Sequence, residues 1–143
     1  MALEKIVYTA HAVATGGRDG SAKSDNGKLD VKLDLPKEMG GGDNGTNPEQ
    51  LFAAGYAACF IGAMKFVAGT RKIELPADTS INSSVAFGPR TGGAKGFSVD
   101  VALEVHIPGM EHAEAEKLVH EAHEVCPYSN ATRNNIDVKL TVA

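Results

Sequence analysis

Leu51-Phe-Ala-Ala-Gly-Tyr-Ala-Ala-Cys-Phe-Ile-Gly-Ala-Met64 runs without a charged residue. Just before it, Asn47-Pro48-Glu49-Gln50 has the signature of a helix start. Asn47 suits the N-cap, Pro48 the first helical position, and Gln50 completes a capping-box-like pattern. The spacing predicts a helix from Pro48 to about Gly69. The uncharged run is short of the ~20 apolar residues that a spanning helix needs, so it is read as a core helix. At ~100° per residue, Phe52, Gly55, Tyr56, Cys59, Ala63 and Phe66 fall on one face, with Cys59 on its centre line. Gly55 and Gly62 each cost a helix interior ~1 kcal/mol relative to alanine, which points to a close approach by another element or a ligand.

Strands flank this helix on both sides. Residues 29–35, Leu-Asp-Val-Lys-Leu-Asp-Leu, and residues 97–107 alternate apolar and polar side chains with a period of two. Both are read as half-buried strands. Lys5 to Ala14, residues 81–87 and residues 136–142 supply further strands. Gly16-Gly17-Arg18-Asp19-Gly20 and Asp25-Asn26-Gly27 are turn signals that set up an N-terminal antiparallel meander. A second helix is expected over Glu111 to Val125, stopped by Pro127. The order β-β-β-α-β-β-α-β, with its strands clustered, predicts an α+β fold with mostly antiparallel sheet. The length, 143 residues, suits a single domain over 1–143.

Composition narrows the function. A net charge of −4 and the lack of any basic run argue against a nucleic-acid partner. The N-terminus shows no secretory pattern, so a soluble cytoplasmic protein without a membrane partner is expected. In that compartment thiols stay mostly reduced, which disfavours a purely structural disulfide.

The chain has two cysteines, Cys59 on the first helix and Cys126 at the end of the second. Cys126 is in phase with Ala115, Leu118, Val119, Ala122 and Val125, so both thiols face inward. The pattern leaves two readings open: a redox pair, or two inert buried thiols, since an apolar setting raises a thiol's pKa. A reactive Cys59 needs a cation. Its own helix supplies none nearby, and the dipole fades within the first turn. Arg18, in its glycine-rich turn, is the candidate, against the plainer reading of a solvated hairpin arginine. His120, His123 and Cys126 are spaced i, i+3, i+6, yet the histidines lie ~160° and ~100° from the centre of the apolar stripe. They are read as solvated-face residues, and neither metal nor cofactor is expected.

Gly16–Gly20, Leu29–Leu33, the run Thr46-Asn-Pro-Glu-Gln-Leu-Phe-Ala-Ala-Gly-Tyr-Ala-Ala-Cys-Phe60 and Val125-Cys-Pro-Tyr-Ser-Asn-Ala-Thr-Arg133 closely resemble the organic hydroperoxide resistance (Ohr) branch of the OsmC/Ohr thiol peroxidases. The resemblance covers essentially the whole chain in order. Asp43-Asn44 and Asn134 are small departures outside the motif residues.

The resemblance implies a peroxidatic Cys59, a resolving Cys126, and Arg18 and Glu49 completing the reactive centre. It implies an intertwined homodimer, with two central helices wrapped by sheets drawn from both subunits. The implied substrates are organic hydroperoxides, lipid ones included, and the implied reductant is a dithiol such as a protein-bound dihydrolipoyl group. Glu49 and Cys59, ten residues apart, would be ~15 Å apart along one helix. Glu49 is therefore expected from the partner subunit, while Arg18 is open to either chain. A hydrophobic ligand carrier with inert thiols and a general peroxidase acting equally on hydrogen peroxide are the rival functions.

Overall fold

A computed structural model describes residues 1–143. The chain forms two compact units, Met1–Pro48 and Glu49–Ala143.

The first unit is a three-stranded antiparallel sheet of β1 (Ala12–Thr15), β2 (Ser21–Ser24) and β3 (Asp30–Lys32), in the order β1-β2-β3. Gly16 and Gly17 take the left-handed conformation, with φ of 74° and 69°, and lead into a 3-10 turn over Gly17–Asp19 that carries Arg18. That geometry favours glycine. Gly20 closes the turn with no room for a side chain, since a Cβ there would sit 1.7 Å from the Thr15 carbonyl oxygen. At the second turn the Asn26 carboxamide oxygen accepts from the Ser24 hydroxyl at 2.7 Å and from the Lys28 N–H at 3.0 Å.

The first strand is shorter than the sequence suggests. It covers Ala12–Thr15 rather than Lys5–Ala14. Its partner β2 has only four residues before the chain turns, so the ladder ends near the Asp25 N–H to His11 carbonyl bond at 3.0 Å. Upstream, Ile6, Val7 and Tyr8 stand exposed. Residues 29–35 also shrink, to Asp30–Lys32 with one parallel bridge from Leu33 to Thr46. Leu33 is the one hydrophobic residue of this unit that is buried.

The second unit holds α1 (Pro48–Thr70), β4 (Ser80–Pro89), β5 (Phe97–His106), α2 (His112–Val125), α3 (Pro127–Thr132) and β6 (Val138–Val142). β4 and β5 form a ten-residue antiparallel hairpin, and β6 adds to β5 in parallel. The sheet presents Val101, Leu103 and Val105 to Tyr56, Phe60, Met64 and Val67 of α1 and Leu118, Val119 and Ala122 of α2, in one apolar cluster.

The element order matches the sequence reading apart from α3. Pro127 ends α2 and also begins a new helix. A residue before proline is pushed to extended backbone, and Cys126 has φ −66° and ψ 124°. Proline itself is welcome at the first helical position.

α1 ends within one residue of the expected Gly69, and over its 23 residues it could by length and composition alone cross a membrane; a core helix can pass the same test. One detail of α1 differs from expectation. Its buried line is Tyr56, Phe60, Ala63, Met64 and Val67, and Phe66 is 65% exposed. A helix apolar on nearly every side has no single stripe to locate by periodicity, so the side chosen by the sheet could not be read from it. Cys59 consequently lies on the flank of the buried line. On α2, Val125 is likewise exposed, while the rest of its predicted face is buried.

Candidate active site

Cys59 projects from the middle of α1, and Cys126 caps the junction of α2 and α3. The helix start that fixes Pro48 fixes the position of Cys59. The extended residue forced by Pro127 turns Cys126 into the core, where it is fully buried. The two sulfurs are 3.7 Å apart, both as free thiols. A disulfide needs ~2.05 Å, so bonding requires closing by only about 1.7 Å. Cys59 remains partly open to solvent. One thiol is thus accessible and the other is hidden behind it.

Burial pushes the Cys59 thiol up in pKa, a backbone hydrogen bond from Tyr128 draws it down, and neighbouring Cys126 adds to the upward push. The Tyr128 N–H lies in the first turn of α3, where backbone donors have no intrahelical acceptor. These surroundings alone favour a neutral thiol.

An aromatic cluster frames the pair. Tyr128 stands edge-on to Tyr56 with ring centroids 5.7 Å apart and to Phe52 at 6.2 Å. Gly55 lets it in: a Cβ there would meet the Tyr128 hydroxyl oxygen at 3.1 Å. The close approach inferred for the helix glycines therefore occurs at Gly55, whereas Gly62 has open space.

Behind the thiols lies a buried polar chain. The Ser129 hydroxyl is 2.8 Å from the Tyr56 hydroxyl and 2.8 Å from His123 Nδ1, and Tyr56 Oη is 3.1 Å from Thr132 Oγ1. The Arg133 guanidinium donates to the His123 carbonyl and, at 2.7 Å, to Asn130 Oδ1. His123 is therefore half-buried in a network rather than on a solvated face. Desolvation lowers its pKa, with help from the Arg133 and His120 charges and against Glu124. His120 is exposed. Periodicity put both histidines off the apolar stripe correctly, but the short helix after Pro127 covers one of them. The only sequence signal for this chain is the Tyr-Ser that follows Cys126-Pro127.

Of the four predicted site residues, the structure brings Cys59 and Cys126 together. Arg18 is half-buried in the Gly17–Asp19 turn of the first unit. Glu49 is half-buried in the first turn of α1. α1 runs unbroken from Glu49 to Cys59, which puts them ~15 Å apart along its axis.

The chain belongs to the OsmC-like protein family, whose profile matches residues 40–141. Within the family it falls in the organic hydroperoxide resistance branch. It is 61% identical to the organic hydroperoxide resistance protein of Xanthomonas axonopodis pv. citri over 141 residues, covering 98% of this chain and 97% of that one. It is 46% identical to organic hydroperoxide resistance protein OhrB of Bacillus subtilis, covering 94% of this chain and 96% of that protein. The crystal structure of an organic hydroperoxide resistance protein from Legionella pneumophila superposes with a TM-score of 0.90 at 52% identity, covering 97% of this chain and 99% of the other.

Proposed function

We propose that this protein confers resistance to organic hydroperoxides as a thiol peroxidase, reducing alkyl and lipid hydroperoxides to alcohols. The observation that carries the reading is the 3.7 Å approach of an accessible Cys59 sulfur and a buried Cys126 sulfur. Similarity to proteins named for organic hydroperoxide resistance supports the substrate class.

The Cys59 thiolate attacks the distal peroxide oxygen. The O–O bond breaks, the alkoxide leaves and takes up a proton as the alcohol, and Cys59 becomes a sulfenic acid. Cys126 condenses with it, releasing water and forming the disulfide. A dithiol, such as a protein-bound dihydrolipoyl group, then reduces the disulfide by exchange.

Burial pushes the Cys59 thiol up in pKa, so the scheme needs a positive charge to favour the thiolate. In our reading Arg18 supplies it, lowering the thiol's pKa and stabilising the departing alkoxide, with Glu49 orienting the guanidinium. The rings of Phe52 and Tyr128, which are partly exposed beside Cys59, favour an alkyl substrate over hydrogen peroxide, since each buried CH₂ contributes ~0.8 kcal/mol.

We place this activity in a cytoplasmic homodimer. The exposure of Ile6, Val7, Tyr8 and Val13 in the first unit and of Phe66 on α1 supports a second copy as their cover. The axial distance from Glu49 to Cys59 supports a site shared across that dimer. Mixing inactive Cys59→Ser and Glu49→Ala subunits should then restore activity in heterodimers; confirmed subunit exchange without recovery contradicts sharing.

The functional test is turnover of cumene hydroperoxide with dihydrolipoamide. Wild type should turn over and Cys59→Ser should not. Equal rates on hydrogen peroxide would contradict the substrate preference, and no turnover by wild type would favour a ligand carrier.

A further inference from the structure

Tyr56 and Ser129 are fully buried and Thr132 is nearly so, so each hydroxyl must find its partner inside the protein. They find one another and His123 across three helices: Tyr56 on α1, His123 on α2, Ser129 and Thr132 on α3. The chain can be fully satisfied in either direction. With Nδ1 of His123 as acceptor, Thr132 donates to Tyr56, Tyr56 to Ser129 and Ser129 to His123. With Nδ1–H as donor the order reverses and ends at the Ser129 carbonyl, 3.2 Å from Thr132 Oγ1. No hydroxyl is orphaned in either protonation state.

Its placement matters more than its satisfaction. Cys126 lies three residues from His123 on one side and three from Ser129 on the other. Cys59 lies three residues beyond Tyr56, about one turn along α1. The network thus ties down the backbone on both sides of the 3.7 Å sulfur gap. Arg133 reinforces it by holding the His123 carbonyl from the end of α3.

We propose that His123, Ser129 and Tyr56 are positioning residues for the second chemical step, in which Cys126 resolves the oxidised Cys59. This rests on the peroxidase reading above. In that step the Cys126 sulfur attacks the sulfenic sulfur, an S–S bond forms and the S–O bond breaks. The hydroxyl leaves as water with the Cys126 proton. No outside electron is needed, so its rate depends on how well Cys126 is held within reach. The first step, attack of Cys59 on peroxide, does not use the network.

The experiment is rapid-quench mass spectrometry after one equivalent of cumene hydroperoxide, with dimedone trapping the sulfenic acid. Tyr56→Phe and Ser129→Ala should slow disulfide closure about tenfold, equivalent to ~1.4 kcal/mol. Sulfenic acid formation should change by less than about twofold. Excess peroxide should then drive both variants to a Cys59 sulfinic acid while wild type resists. His123→Asn, which keeps a polar atom near the Nδ1 position, should close faster than His123→Ala. The proposal is overturned if both hydroxyl variants close at the wild-type rate, if attack slows as much as closure, or if the two His123 variants behave alike. Tyr56→Phe, which keeps every carbon of the ring, carries the test alone should another variant fail to fold. If wild type forms neither sulfenic acid nor disulfide, the peroxidase reading itself fails; if wild type forms both and the variants match it, only this inference does.

Discussion

Cys59 and Cys126 differ in exposure more than in chemistry, and that asymmetry assigns their proposed roles. The accessible sulfur meets substrate, and the buried one meets only its neighbour. Because burial favours the neutral form of Cys59, its thiolate fraction should rise with pH, and alkylation by iodoacetamide should accelerate as pH increases. Arg18→Ala should move that profile to higher pH and lower kcat/KM about 100-fold; an unmoved profile contradicts Arg18 as the activating charge. His123 is the opposite kind of group. Its folded pKa is lowered, so the unfolded chain binds the proton more readily. The stability that neutral His123 contributes is present above its ordinary pKa of about 6.5 and lost as pH falls through the folded value. Urea unfolding from pH 7.5 to 5 should show this decline, and His123→Asn should flatten it. The inward phase of Cys126 was legible in the sequence because the stripe on α2 is a local property; the place of Cys59 on the flank of α1's buried line was not, because α1 is apolar on nearly every side. The hydroxyl chain was not, because Tyr56 meets Ser129 and Thr132 only once α3 folds back on α1, and nothing in either segment's period encodes that meeting.

At the scale of elements, the break at Pro127 does the positioning. It takes Cys126 out of helical geometry and starts α3 in one step. Pro127→Ala removes the restraint on Cys126 and should slow disulfide closure while leaving the helix content by circular dichroism nearly unchanged. Gly55 has a comparable role on the other helix, admitting the Tyr128 ring. Gly55→Val should overpack that contact and destabilise the fold by about 1–3 kcal/mol in urea unfolding; unchanged stability would mean that Tyr128 is free to move aside. The alternating strand around β5 was readable because one face of it is buried and the other is wet. The N-terminal strand was over-read because Val, Ile and Tyr signal β-propensity without saying whether a partner strand is long enough to use it. The helix after Pro127 was missed because six residues are too few for a periodic signal.

Across the whole molecule, each of the two units leaves large apolar side chains exposed. The first unit has a single buried hydrophobic residue, and α1 exposes Phe66. A second copy is the cover we propose. Phe66→Glu should then shift sedimentation from dimer toward monomer, and a wild-type protein that sediments as a monomer contradicts the dimer outright. The central claim, however, concerns the sulfurs. Its most direct test is mass spectrometry of the intact protein after one equivalent of cumene hydroperoxide, with peptide mapping under non-reducing conditions. The account predicts a Cys59–Cys126 disulfide within a single chain. Two unmodified thiols, or a disulfide linking two chains, would contradict it.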